Sequence, residues 1–197
     1  MEEYFFKTSD IEACSEYASA VLVCSNGKCK ISAVSEDKVI LYATQISPII
    51  SGNFTKTFKI DNWSLFEDHS IVSIDSIGNF TYDGTIIRIM PEATCLESIL
   101  PSCTVIAKIP EYILKYNCSI NFEKIKGSPD VLMDIQDTNI IIKLDCLHVK
   151  LDDAFSTMIR SEFLHDYVNS GYLKLYFQND FPLAIEDGPN RTFIAPT

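Results

Sequence analysis

The sequence predicts an α+β protein of two similar domains, and two observations carry this prediction. The pattern begins again after about residue 102, so that each half of the 197 residues has two predicted helices embedded in predicted strands. Between the two series, the stretch 91–101 is bracketed by prolines and breaks the alternation. We therefore predict an N-terminal domain at 1–90, an interdomain connector at 91–102 and a C-terminal domain at 103–197, each domain with two helices on antiparallel sheets. The repeat is one of architecture and not of sequence.

The first series begins with a predicted helix from about Ser9 to Ala20, with Ser9 or Asp10 as its N-cap. Asn26-Gly27 lies between two alternating runs and is a strong signal for a tight hairpin turn. A short capped helix is predicted at 61–67. The predicted strands of this domain are Val21–Cys24, Lys28–Val34, Val39–Thr44, Phe54–Ile60, Ser70–Asp75, Gly78–Tyr82 and Thr85–Ile89.

The second series contains a predicted helix from Pro110 to Asn117, with proline in the first turn. A longer amphipathic helix is predicted from Phe155 to Val168, because Phe155, Ile159, Phe163 and Val168 fall broadly on one stripe. The predicted strands are Cys103–Ile109, Val131–Ile135, Asn139–Cys146, Tyr172–Phe177, Asp180–Glu186 and Phe193–Pro196.

Composition indicates a globular, acidic protein. Apolar residues make up 47% of the chain, and 27 acidic against 16 basic side chains give a formal charge of −11. This charge is the opposite of what an ordinary nucleic-acid-binding protein carries, so contact with DNA requires a local patch. The seven scattered cysteines are expected to be reduced, in an intracellular protein without signal peptide or membrane span.

No motif of a known catalytic chemistry is present. The chain has no phosphate-binding glycine loop, no Gly-x-Ser-x-Gly turn and no Cys-x-x-Cys pair. Glu162, His165 and Asp166 are close in sequence, but a solvated helix face explains them better than a metal site does. We therefore expect a protein that is not an enzyme and that needs neither a metal nor another cofactor.

Three stretches together resemble a known family. The first is the closing stretch, with Asp180-Phe-Pro-Leu-Ala-Ile-Glu followed by Thr192-Phe-Ile-Ala-Pro. The second is the connector region, Ile87-Arg-Ile-Met through Ile99-Leu-Pro to Cys103-Thr-Val-Ile-Ala-Lys-Ile-Pro, and the third is the strand pair that begins at Lys30-Ile-Ser-Ala-Val. In their order and spacing along the chain, the three stretches resemble the sliding clamps of the proliferating cell nuclear antigen (PCNA) family. The chain departs from that family in its compressed second domain and in Thr197, where the family usually has lysine.

The resemblance implies a ring-forming protein that encircles duplex DNA and acts as a polymerase processivity factor. Three copies of a two-domain chain would form the ring as a homotrimer, with edge strands pairing between subunits, and a clamp loader would place it on DNA. It also implies nuclear localisation, or an intracellular replication site if the protein is viral. One alternative is a subunit of a heterotrimeric checkpoint-type clamp. An alternative of another class is an acidic protein-interaction module without a role on DNA.

The resemblance also implies two sets of site residues. Partner proteins of the family insert an extended motif, the PIP box, into an apolar groove, and the matching positions here are Val34, Val39, Leu41, Leu100, Pro101, Pro182, Phe193, Ala195 and Pro196. The other interpretation of these residues is that they belong to the core or to strand edges. The candidate DNA-facing residues are Lys7, Lys108, Lys115, Arg160 and His165. Because these are few, ordinary solvated charges remain the alternative, and a clamp lined by them would hold DNA loosely, by encirclement.

Overall fold

The computed structural model describes residues 3–12, 14–17, 19–61, 71–82, 85–91, 100–150, 154–179 and 181–197. It divides into two compact units, Met1–Glu97 and Ser98–Thr197. The predicted helix at 61–67 and most of the predicted connector at 91–102 lie outside the described residues. The predicted domain boundaries therefore stay a prediction.

The N-terminal unit consists of two antiparallel sheets. Its strands are β1 (Glu3–Phe6), β2 (Ala20–Ser25), β3 (Lys28–Val34), β4 (Ile40–Ile46), β5 (Lys56–Ile60), β6 (Val72–Asp75), β7 (Asn79–Tyr82), β8 (Thr85–Arg88) and β9 (Met90–Pro91), and the short helix α1 (Ser9–Glu12) follows β1. One sheet has the order β1-β6-β7-β8, and the other contains β4-β3-β2-β5-β9. Alternating apolar side chains from both sheets, with Tyr4, Phe6, Phe58 and Phe80 as the largest, form one buried core.

The C-terminal unit also consists of two antiparallel sheets. Its strands are β10 (Cys103–Lys108), β11 (Ser119–Lys124), β12 (Leu132–Ile135), β13 (Ile140–Lys143), β14 (Cys146–Lys150), β15 (Phe155–Arg160), β16 (Tyr172–Phe177), β17 (Leu183–Asp187) and β18 (Asn190–Ile194), and its 3₁₀-helices are η1 (Glu111–Lys115) and η2 (Ser161–Tyr167). One sheet has the order β13-β12-β11-β15, and the other contains β14-β10-β16-β17-β18. In its core, Phe155 stacks on Phe177 with ring centroids 4.5 Å apart.

The two units repeat one strand order. The series β1-β6-β7-β8 corresponds to β10-β16-β17-β18, and β4-β3-β2-β5 corresponds to β13-β12-β11-β15. The repeat extends to the short helix after the first strand, α1 in one unit and η1 in the other. The architecture is therefore mostly sheet, with few and short helices among the described residues.

The helix predictions need correction. The helix predicted from Ser9 to Ala20 ends at Glu12, and the helix predicted from Pro110 to Asn117 is the single 3₁₀ segment η1. The helix predicted from Phe155 to Val168 is wrong, because its first half is strand β15 and its second half is η2. Buried and exposed side chains alternate strictly along β15, so the true period is two, not 3.6.

Candidate partner and DNA interfaces

The predicted groove residues of the N-terminal unit lie at one end of the β3–β4 hairpin. Val34 and Leu41 are directly paired across the two strands, and both are half-buried, as is Val39. The connecting turn is held by Ser35, whose Oγ donates to the Asp37 carboxylate at 2.5 Å and accepts from the Ile40 N–H at 2.9 Å. The hairpin end thus places three half-buried apolar side chains beside an exposed, charged turn at residues 36–38.

The six other groove residues lie in the C-terminal unit. Pro101 and Phe193 are buried, Leu100, Pro182 and Ala195 are half-buried, and Pro196 is exposed. Phe193 pairs with Ala184 across β17 and β18, and its ring belongs to the core. Beyond β18, the Thr197 N–H donates to the Met158 carbonyl at 3.0 Å and ties the end of the tail to β15. Because Phe193 has a structural role, Leu100 and Pro196 are the better positions for probing partner binding.

The candidate DNA-facing residues fall on short helices and their flanks. Lys7 is exposed just before α1, Lys115 is exposed at the end of η1, and Lys108 is exposed at the end of β10 with its Nζ 4.4 Å from the Tyr172 ring centroid. η1 packs against η2, which brings Lys115 and His165 onto neighbouring helices of one unit. The structure therefore gathers part of this set but adds no further cation to these helices.

Arg160 and His165 are less available for contact with DNA than the three lysines are. The Arg160 guanidinium forms an ion pair with Glu162 at 2.9 Å, so its charge is largely offset. His165 is half-buried, and its Nε2 atom is buried without a hydrogen-bond partner among the described residues. Glu111 and Asp166 add negative charge to the same two helices. The surface formed by η1 and η2 is consequently mixed in charge.

Two open hollows in the C-terminal unit escaped the sequence analysis, because no motif marks them. The larger, about 480 Å³, is lined by residues that include Ser102, Cys103, Lys126, Phe155 and Asn179. The smaller, about 380 Å³, lies beside β13 and β14, where Lys143 forms an ion pair with Asp130 at 2.6 Å. Burial raises the pKa of Cys146 in the smaller hollow to about 11, so this thiol stays protonated at neutral pH.

The described residues offer no candidate for a metal centre, since no three His, Cys, Asp or Glu side chains among them lie close enough to share an ion. Within the same part of the chain, no helix is long and apolar enough to cross a membrane.

The edge strands of the two four-stranded sheets provide a further candidate interface. Among the residues that the structure describes, β8 and β13 are edge strands of their four-stranded sheets, so one edge of each presents backbone N–H and C=O groups to a partner strand. Both also carry strongly exposed isoleucines, Ile86 at 64% and Ile141 at 65% of full exposure. Charged and proline residues usually protect such edges, and large apolar side chains do not. The two strands are therefore candidates for pairing with another chain.

Comparison with solved structures identifies the class of fold. The chain is similar to a Helicobacter pylori beta clamp in complex with 5-chloroisatin, with a TM-score of 0.75 and 11% identity over 99% of this chain and 63% of the other. A Helicobacter pylori beta clamp bound to a DNA ligase peptide gives a TM-score of 0.73 and 11% identity, over 98% of this chain and 66% of that chain. The fold is accordingly clamp-like.

The particular neighbours are bacterial. A putative DNA polymerase III beta subunit from Eubacterium rectale matches with a TM-score of 0.69 and 14% identity, over 100% of this chain and 66% of that chain. The present chain thus spans about two thirds of the length of these structures. No protein-family model matches the sequence, and no curated protein matches it. The resemblance to the sliding clamps holds at the level of fold, while a specific place in the PCNA family stays a prediction.

Proposed function

We propose that this protein is a sliding clamp, a processivity factor that encircles duplex DNA and docks replication and repair proteins. The observation that carries the proposal is the repeated two-sheet unit, which matches beta clamps over nearly the whole chain. A clamp does no chemistry. It holds a polymerase near the primer end by topology and so raises its effective concentration there.

A ring of three copies is consistent with the size of the chain. Two units of this fold account for about two thirds of each neighbouring structure, which leaves room there for one more unit of similar size. Three copies of the present chain would supply six units, as the resemblance to the PCNA family implies. We propose that the contact between copies joins β8 of one to β13 of the next, a head-to-tail arrangement that closes into a ring.

Partners would bind at the predicted groove residues, which include Leu100 and Pro101 of the connector, as proteins with a PIP box do in the family that the sequence resembles. One of the neighbours is a beta clamp bound to a DNA ligase peptide, which supports peptide docking on this fold. Polymerase and clamp loader are the expected partners, at a nuclear or viral replication site. The exposed Lys7, Lys108 and Lys115 would face DNA, and their small number predicts a loose grip.

Light scattering coupled to size exclusion tests the assembly. The proposal predicts a particle of three chains, about 67 kDa when the chain mass of 22.2 kDa is tripled. A monomer that assembles only with other clamp subunits would support the checkpoint-type alternative. A monomer that neither assembles nor associates with DNA in any mixture would leave the acidic interaction module as the function.

A further inference from the structure

Two buried thiols face each other in the N-terminal unit. Cys24 on β2 and Cys29 on β3 are direct partners across the antiparallel pair. The Cys29 thiol donates to the Cys24 Sγ with 3.3 Å between the sulfurs, and the two side chains are 0% and 1% exposed. The pair belongs to the core but lies one position from the end of its hairpin.

The hairpin geometry suits a covalent bond between these sulfurs. Asn26 and Gly27 form a two-residue turn with φ of 50° and 77°, both in the left-handed region that a type I′ turn requires. In such a hairpin Ser25 and Lys28 form the hydrogen-bonded pair, so by alternation Cys24 and Cys29 form a non-hydrogen-bonded pair. Non-hydrogen-bonded pairs have Cα atoms about 4.5 Å apart, inside the range of roughly 4.4 to 6.8 Å that disulfides span. Side-chain rotation is therefore enough to join the sulfurs.

The turn holds the two cysteines in this register. The Gly27 N–H donates to the Tyr4 hydroxyl at 3.1 Å, and the Ser51 Oγ donates to the Gly27 carbonyl at 2.9 Å. Slippage of the hairpin by one residue would break both bonds and turn the thiols away from each other. The contact between the sulfurs is thus specified by the fold.

We propose that Cys24 and Cys29 form a redox modification site, at which a low-molecular-weight disulfide such as glutathione disulfide reversibly converts the dithiol into a cross-strand disulfide. One protein thiolate attacks a sulfur of glutathione disulfide, forming a mixed disulfide and releasing one glutathione thiolate. The second protein thiolate then attacks the protein sulfur of the mixed disulfide and releases the second glutathione. The two protein thiols lose two protons and two electrons, and glutathione disulfide takes up both to give two glutathione molecules.

Burial determines the rate of this reaction and not whether it can occur. The hydrogen bond that Cys24 shares with Cys29 favours its protonated form and, together with burial, raises the pKa of Cys24 above its usual range, which keeps the thiolate scarce while the hairpin is closed. The pair is next to Ser25 and Lys28, the pair that flanks the turn. In the two neighbouring strands, Cys24 pairs with Lys56, the first residue of β5, and Cys29 pairs with Ile46, the last residue of β4. Opening this sheet end breaks few hydrogen bonds, so reagent reaches the thiols through local opening.

In the test, the 197-residue chain is equilibrated in glutathione redox buffers over a range of potentials. The samples are then quenched with acid, alkylated in denaturant and digested with trypsin. Trypsin cleaves after Lys28, between the two cysteines, so a disulfide would keep the dipeptide Cys29-Lys30 attached to the peptide that ends at Lys28. We expect this linked product to appear with one midpoint potential and to vanish on reduction. The oxidised protein should melt about 5 °C higher, because closing the hairpin restricts the unfolded chain.

Two variants and a denatured sample complete the experiment. Cys14→Ser removes the other cysteine of the peptide that ends at Lys28 and should leave the linked product unchanged. Cys24→Ser should abolish it, and chain oxidised in urea should give mixed pairings instead. The proposal is overturned if the unsubstituted folded chain yields no linked product at any potential, yields the same mixture as in urea, or stops at a glutathione adduct on either cysteine. None of these readouts depends on the clamp function, so the two proposals fail separately.

Discussion

At the scale of single residues, the positions expected to carry function differ in how freely they can be changed. Phe193 was predicted as one wall of a docking groove, yet its side chain is buried in the C-terminal core. Arg160 was predicted to face DNA, yet Glu162 offsets its charge. Sequence patterns mark a residue as apolar or charged, but they do not show which neighbours cover it or pair with it. Leu100 is half-buried and therefore tests the groove without disturbing the core.

Leu100→Glu should weaken binding of a PIP-box peptide by at least about tenfold, since a buried apolar contact would meet a charge. Fluorescence anisotropy with a labelled peptide measures the change. Leu147→Glu, on the exposed strand β14, is the matched control and should bind as the unsubstituted chain does. Equal binding by all three proteins would remove Leu100 from the groove.

Gly78 is a second residue whose replacement has a sharp expected result. Its φ is +88°, and a Cβ there would lie 2.7 Å from the Ile89 carbonyl oxygen and 3.2 Å from the Phe58 ring. Gly27 has a similar φ of +77° but only ordinary contacts of 3.6 Å. We expect Gly27→Ala to lower the free energy of unfolding by about 1 kcal/mol. Gly78→Ala should cost about 2 kcal/mol more, because overpacking adds to the strain. Urea unfolding that ranks the two equally would contradict the close approach at Gly78.

Glu186 gives a pH-dependent prediction. Burial acts to raise the pKa of its carboxyl, but hydrogen bonds from Arg191 at 3.0 Å and Tyr176 at 3.1 Å, with the charge of Lys174, lower it below the usual 4.5. A depressed folded-state pKa stabilises the protein above the unfolded-state pKa, and this contribution is lost as pH falls through the folded-state value.

At neutral pH, Glu186→Gln should lower the free energy of unfolding by about 1 kcal/mol, because the hydrogen bonds from Arg191 and Tyr176 would no longer reach a charged carboxylate. The difference should shrink as the pH falls below 4.5. Urea unfolding of both proteins across this range measures it, and a difference that does not vary with pH would show that the charge of Glu186 plays no part.

At the scale of elements, the sequence predicted strands far better than helices. The Asn26-Gly27 turn and its flanking strands were correct, because the turn chemistry and the alternation agree with each other. The helix predicted at Phe155 failed, because Phe155 and Ile159 fit both a helical stripe and a strand of period two. Pairing with β11 decided between them, and that partner is distant in sequence. Strands β1 and β11 were also missed, although Ile120 and Phe122 alternate with polar residues along β11 and thus carry a period of two that could have marked it.

The end strands carry the prediction for assembly. Ile141→Lys places a charge on the exposed face of β13 and should leave the chain folded but shift light scattering from three chains to one, since charged end strands resist pairing. Ile86→Lys on β8 should have the same effect on the number of chains in the particle. Ile125→Lys, at 59% exposure and outside both strands, is the control and should keep the trimer. A trimer that survives both end-strand substitutions would place the contact between copies elsewhere.

At the scale of the whole molecule, the net charge of −11 is compatible with the proposed role on DNA if the chain holds the duplex by encirclement and meets phosphate only through a local patch. The lysines expected to face phosphate are few, so few counterions would be released and the dependence on salt should be shallow. A closed ring does not need strong contacts, because it leaves DNA only at an end. The sequence indicated the clamp-like class through three separated stretches, whereas the repeated strand order that supports it became visible only in three dimensions.

Retention on circular DNA tests this claim most directly. The protein is mixed with linear duplex, the ends are joined by ligation, and the products are passed over a sizing column in high salt. We expect protein to remain on the closed circles and to be released when a restriction enzyme cuts them, and Ile141→Lys to remain on neither form. Protein that elutes equally from circles and from linear DNA would contradict encirclement and, with it, the proposal of a sliding clamp.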